Sequence, residues 1–114
     1  MASNQLSGNL DLLLLSVLTA GEAHGYAVIT RLRERSDGAF DLPEGTVYPA
    51  LHRLERDGLL TSRWDRGSGR RRRAYALTQD GHRALEQKRR SWHDFSRGVR
   101  AVIDPGVPRA TVTP

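Results

Sequence analysis

The stretch EGTVYPALHRLERDGLL, residues 44–60, has the spacing of a helix and carries a proline, Pro49, inside it. Val47, Leu51 and Leu54 fall at i, i+4 and i+7, which is one buried helical face. The opposite face collects Gly45, Pro49, His52, Arg53 and Arg56, groups that are small, rigid or basic. The proline is expected near the helix start, where a missing N–H has little or no helical partner. Asp57-Gly58 ends the segment.

The composition limits what such a helix can serve. At 114 residues the chain has the size of one domain. It has no cysteine, which removes disulfides, thiolate zinc sites and a cysteine nucleophile. No apolar run approaches the ~20 residues of a membrane span, and the N-terminal stretch lacks the pattern of a secretion signal. A cytoplasmic protein without a membrane partner is the expectation. The net charge is +5. Residues 63–73, RWDRGSGRRRR, hold six arginines against one aspartate, an excess that equals the charge of the whole chain. A basic excess confined to one short segment points to a polyanionic partner.

Around this centre the chain reads as helix, helix, helix, hairpin, helix. LDLLLLSVLTAG (10–21) sets Leu10, Leu13, Leu14, Val17 and Leu18 on one face, with Leu12 and Leu15 on a second, so the helix is expected to be covered on two sides. HGYAVITRLRERSDG (24–38) places Tyr26, Ile29, and Leu32 or Arg33 at its seam and turns at Asp37-Gly38. Two extended runs within 59–78 flank Gly67-Ser68-Gly69, a hairpin tip. A long helix follows over 78–103, where Leu85, Trp92 and Val99 recur every seven residues and Phe95 and Val102 fill the intervening positions. This is a coiled-coil seam interrupted by Lys88. The three-proline end, 104–114, reads as a disordered tail.

That order is the plan of a winged helix: mainly α with a small β-hairpin, a winged helix-turn-helix over 1–77 plus a C-terminal dimerisation helix over 78–103. In a helix-turn-helix the second helix of the pair lies in the major groove of DNA. Gly45 and Thr46 let the backbone approach the duplex, and Pro49 stiffens the first turn. His52, Arg53 and Arg56 offer donors to the groove, while Tyr48 on the flank reaches a phosphate or sugar. Arg70, Arg71, Arg72 and Arg73 at the hairpin lie along the backbone or in the minor groove. Phosphate contacts set affinity and register; base contacts set specificity. A second reading, from a different class, is a winged helix used for protein or RNA assembly with its arginine hairpin on an acidic partner. Salt dependence and preference among duplex sequences separate the two.

Taken together, HGYAVITRL, GTVYPALHRLERDGLL and GRRRRAYALTQDGHRAL resemble the PadR family of transcriptional regulators, over roughly residues 10–95. The joint spacing of Gly45, Tyr48, Pro49, Leu51, Leu54, Glu55 and Gly58 with Tyr75, Leu77, Thr78 and Gly81 carries the likeness. The short terminal helix is similar to the compact branch of that family, whose last helix supplies most of the dimer contact. The resemblance implies a homodimeric repressor on an inverted-repeat operator in double-stranded DNA, released by a small molecule. One departure stands out: the family's small polar residue at the start of the recognition helix is here Pro43, which offers no capping oxygen.

RRSWHDF, residues 89–95, is similar to the drug-binding members of the compact branch, in which tryptophans from two subunits face each other and flat aromatic ligands enter between them. By that resemblance Trp92, Phe95, Ser96, Asp11 and Leu12 line a slot for a planar aromatic or drug-like effector. Two indoles across a two-fold axis form an apolar slot suited to planar or cationic guests. The competing reading is that Trp92 and Phe95 fill the dimer core beside Leu85, Val99 and Val102.

No cofactor, metal or catalytic centre is legible. His24, His52, His82 and His93 lack ligand spacing with a third partner, Glu55, Asp57 and Asp80 sit at helix ends or flanks, and GSG at 67–69 is not a phosphate loop. An enzyme is not expected.

Overall fold

The computed structural model describes residues 4–67, 69 and 71–106. Arg70, Ser68 at the hairpin tip and most of the expected tail lie outside them. Four helices and three strands follow in the order α1 (Asn4–Val17), β1 (Ala23–His24), α2 (Gly25–Arg35), α3 (Glu44–Arg56), β2 (Leu60–Asp65), β3 (Arg72–Leu77) and α4 (Gln79–Ile103), with one 3₁₀ turn over Leu18–Ala20. No helix among the described residues is long and apolar enough to cross a membrane.

The core is where the leucine periodicity puts it. Val47, Leu51 and Leu54 of α3 meet Leu14 and Leu15 of α1 and Val28 of α2, each fully buried. Burial of such a side chain contributes about 1.5–3 kcal/mol. Leu60 and Tyr75 close the core from the sheet. The hairpin gains a third strand that the sequence did not suggest. Ala23 pairs with Tyr75 and His24 with Ala74, giving the antiparallel order β1-β3-β2. In β2 and β3 the register runs from Leu60 opposite Leu77 to Asp65 opposite Arg72.

Several boundaries differ from the sequence reading. Helix α1 begins at Asn4, six residues before the leucine run. Tyr26, expected at the seam of α2, is 62% exposed, and Val28 takes the buried position. Leu85, expected in a dimer seam, is only 4% exposed and belongs to the monomer core, because the first turns of α4 pack on the body of the domain. Pro49 is the sixth residue of α3, not part of its first turn. The Gly45 carbonyl therefore lacks the N–H donor that residue 49 would normally supply.

The helix ends are specified chemically. Helix α3 stops in a Schellman motif: Leu59 N–H donates to the Leu54 carbonyl (2.9 Å) and Gly58 N–H to that of Glu55 (3.0 Å), with Gly58 at φ +81°. At the start of α4, the Thr78 hydroxyl donates to the Gly58 carbonyl (2.7 Å) and accepts from Gly81 N–H (2.9 Å). One threonine thus caps α4 and ties it to the exit of α3.

Candidate nucleic-acid interface

Helix α3 presents the face expected of it. Gly45, Pro49, His52 and Arg56 are exposed, Thr46 and Arg53 half-buried. A Cβ on Gly45 would meet nothing within 4 Å, so the backbone there is open to a large neighbour. Pro43 provides no side-chain cap, yet its carbonyl accepts from both Thr46 N–H (3.0 Å) and Val47 N–H (3.1 Å). The first turn is thereby held without the missing oxygen, and Glu44 adds a negative charge at the positive end of the helix.

Tyr48 is fixed from below. An added Cβ on Gly25 would lie 2.3 Å from its ring, so glycine at the start of α2 is what admits the ring. Burial, with the charge of Glu44, pushes the Tyr48 phenol up, and burial does the same at Tyr75. Both hydroxyls stay protonated at neutral pH.

Beside α3 runs the hairpin. Its base is fastened to the end of the helix: Ser62 Oγ donates to Glu55 (2.8 Å) and accepts from Arg73 (2.6 Å), and Arg73 lies 3.7 Å from Glu55. The other side is held by His24 against Asp65 (3.0 Å) and by Arg63 on Glu22 (2.8 Å). The Asp65 carboxyl is lowered from its usual value, first by the Gly67 N–H and then by His24. Between helix and hairpin lies an open groove of about 670 Å³, lined by Tyr26, Tyr48, His52, Trp64 and Arg71 to Arg73 among others. Tyr26 and Trp64 are functional candidates that the sequence reading passed over. Tyr26 resembled a seam residue, and Trp64 lies on a strand whose facing was not resolved by its neighbours.

The expected contacts do not all converge here. Arg53 turns back to α1 and donates two hydrogen bonds to Asp11 (2.7 and 3.2 Å), which raise its already high pKa. Asp11 is thereby engaged with α3 and is not among the residues lining the Trp92 grooves. Those grooves flank the α1–α4 contact. One, of about 610 Å³, is bordered by Leu12, Trp92, Phe95, Ser96 and Val99 with Phe40; a second, of about 710 Å³, shares Leu12, Trp92 and Phe95. Trp92, Phe95, Val99 and Val102 are 42%, 69%, 37% and 77% exposed. Among the described residues no group of three or more His, Cys, Asp or Glu could hold a metal ion.

Residues 14–87 match the family described as the transcriptional regulator PadR-like family. The chain belongs to that family. Among its relatives, the Mycobacterium tuberculosis transcriptional regulator Rv3488 is 44% identical over 78 residues, covering 68% of this chain and 70% of that protein. A transcriptional regulator from Clostridium thermocellum superposes with a TM-score of 0.76 at 29% identity, over 93% of this chain and 100% of that one. Bacillus subtilis PadR, solved in complex with operator DNA, gives a TM-score of 0.62 at 26% identity, over 68% of this chain and 44% of that one. PadR-like proteins are regulators rather than enzymes, and the winged-helix plan read from the sequence is the family's fold.

Proposed function

We propose that this PadR-like chain is a homodimeric, sequence-specific DNA-binding repressor acting in the cytoplasm, released by a planar aromatic ligand held between its terminal helices. The observation that carries the reading is the exposed face of α3, Gly45, Pro49, His52 and Arg56, set beside a hairpin bearing Arg71 and Arg72. Operator binding by the Bacillus relative supports it. In this reading α3 enters the major groove, His52 and Arg56 meet base edges, and Tyr26, Tyr48 and the hairpin arginines meet phosphates. Gly45 and Thr46 bring the backbone close. Arg53, with two of its N–H groups on Asp11, chiefly sets the tilt of α3 against α1.

The ligand half of the proposal rests on the exposed stripe of α4 and its adjoining grooves. Pairing two copies along Phe95, Val99 and Val102 brings two Trp92 indoles toward a common axis. A guest there alters the spacing of the two recognition helices. It releases DNA to the extent that it prefers the non-binding spacing.

Selection of bound duplexes from a random pool tests both halves. Recovery of an inverted repeat whose affinity falls with salt at about −0.9 per phosphate neutralised supports the DNA reading. Replacing Arg71 and Arg72 by glutamine is expected to weaken all duplexes and flatten that slope, whereas Arg56→Ala lowers the preference for the selected site. Quenching of tryptophan fluorescence by a planar compound that also releases the DNA supports the ligand slot. A pool with no enriched sequence overturns the proposal in favour of an assembly module.

A further inference from the structure

The arginines of this chain are held in two different ways. Arg33, Arg53, Arg63, Arg83 and Arg90 each face a carboxylate, from Asp41, Asp11, Glu22, Asp80 and Glu86 respectively. In the hairpin Arg73 also faces a carboxylate, Glu55 (3.7 Å), and donates to Ser62 Oγ (2.6 Å), but Arg71 is held differently. The Arg71 guanidinium carbon lies 4.5 Å and that of Arg73 4.9 Å from the centroid of the Trp64 ring. Trp64 is opposite Arg73 in the register, so the ring and that guanidinium share a sheet face. Arg71 has no carboxylate partner among the described residues.

The difference matters for a polyanion. A carboxylate accepts from the N–H edge of a guanidinium, the edge a phosphate also needs. An aromatic ring attracts the cation through its face and accepts none of those hydrogen bonds, so the donors stay available. Trp64 is also 50% exposed, while the hairpin's core contacts are made by Leu60, Ala74 and Tyr75. An exposed indole between two arginines has a simple use. It restrains long side chains that would otherwise lose conformational freedom when they met a phosphate.

We infer that Trp64 is a positioning residue for duplex binding: its ring, braced by Arg73, is a platform that holds Arg71 over the hairpin while leaving the Arg71 N–H donors for the phosphate backbone. This rests on the DNA-binding reading above and adds a residue that touches no base. The platform acts on affinity for any duplex and not on choice of sequence.

The test compares Trp64→Leu and Trp64→Tyr in the full chain by duplex titration across a salt series, with thermal unfolding of each variant. Trp64→Leu is expected to weaken selected and unselected duplexes alike by about fivefold, the scale of a cation–π contact. The salt slope should be kept, because the arginines still reach the phosphates. Trp64→Tyr, which retains a ring face, recovers most of that loss. Combining Trp64→Leu with Arg71→Gln adds little to the effect of Arg71→Gln alone. Wild-type affinity in Trp64→Leu, no recovery in Trp64→Tyr, or full additivity with Arg71→Gln overturns the inference. If the unmodified protein binds no duplex, the DNA reading itself falls and takes this one with it. Should Trp64→Leu unfold early, Trp64→Gln, which also lacks a ring and suits an exposed strand position, takes its place in the same comparison.

Discussion

The two ends of α4 have similar sequence character and opposite surroundings. At its start, Gly81 and Leu85 are buried, and a Cβ on Gly81 would lie 2.1 Å from the Leu59 carbonyl oxygen. At its far end Phe95, Val99 and Val102 are exposed. One heptad pattern therefore serves two purposes along a 25-residue helix about 37 Å long. Its first turns complete the core of a monomer, and its last turns hold an apolar stripe that the monomer does not cover. In the proposed function this stripe is the association surface, and the body to which the helix is fastened does not draw on it for its core.

Breaking the anchored end gives the largest expected effect. In Gly81→Ala the added methyl meets backbone, which cannot rotate aside as a side chain would. The start of α4 must move off the Leu59 carbonyl or the turn must open. A loss of about 1–3 kcal/mol is expected, the range of overpacking against a neighbour that must shift. Denaturant unfolding at a protein concentration low enough to keep the chain monomeric measures it. A loss below about 1 kcal/mol would show that the helix start tolerates displacement, and the contrast between the ends would vanish.

Breaking the exposed end should act on association instead. Phe95→Ser with Val99→Ser removes apolar surface from positions 69% and 37% exposed in the monomer. Monomer stability is expected to stay within about 0.5 kcal/mol. Self-association should weaken by at least about tenfold, since each side chain contributes about 1.5–3 kcal/mol when fully buried. Sedimentation equilibrium reads the association constant directly. Unchanged association would place the partner contact elsewhere, and the Trp92 grooves with it.

This division within α4 was only half legible in the sequence. The seven-residue recurrence of Leu85, Trp92 and Val99 showed a helix with one apolar edge, but periodicity does not say which neighbour covers which turn. That is decided by Thr78 and Gly81 against Gly58 and Leu59, contacts made across the hairpin. The same limit explains the other differences. Strand β1 is two residues long and exists through pairing with β3, more than 45 residues onward, so no local alternation announces it. Arg53 looked like a groove contact because its partner Asp11 lies 42 residues away. By contrast α3, the hairpin and both glycine-marked turns were legible, because amphipathic spacing and turn chemistry are local. The face of α3 was read as a set with Arg53 in it. The structure keeps the face and turns that one side chain inward.

The smallest expected effect sharpens the comparison most, because it repeats the same substitution at the other end of the same helix. Gly98 is exposed in the interior of α4, and a Cβ there would meet nothing within 4 Å. Alanine loses less backbone freedom than glycine on entering a helix, so Gly98→Ala is expected to stabilise the monomer by up to about 1 kcal/mol. The sign is opposite to that at Gly81, and surroundings alone account for the reversal. Gly98 also stands three residues after Phe95 and four before Val102, hence beside the exposed stripe. Two helices that pair along that stripe and pass closely at Gly98 would meet the new methyl. The gain should then appear in dilute protein and shrink or reverse as concentration rises. Thermal unfolding at two concentrations separates the cases. A gain independent of concentration puts Gly98 outside the contact, and a gain lost on association puts it at the closest approach of the two helices.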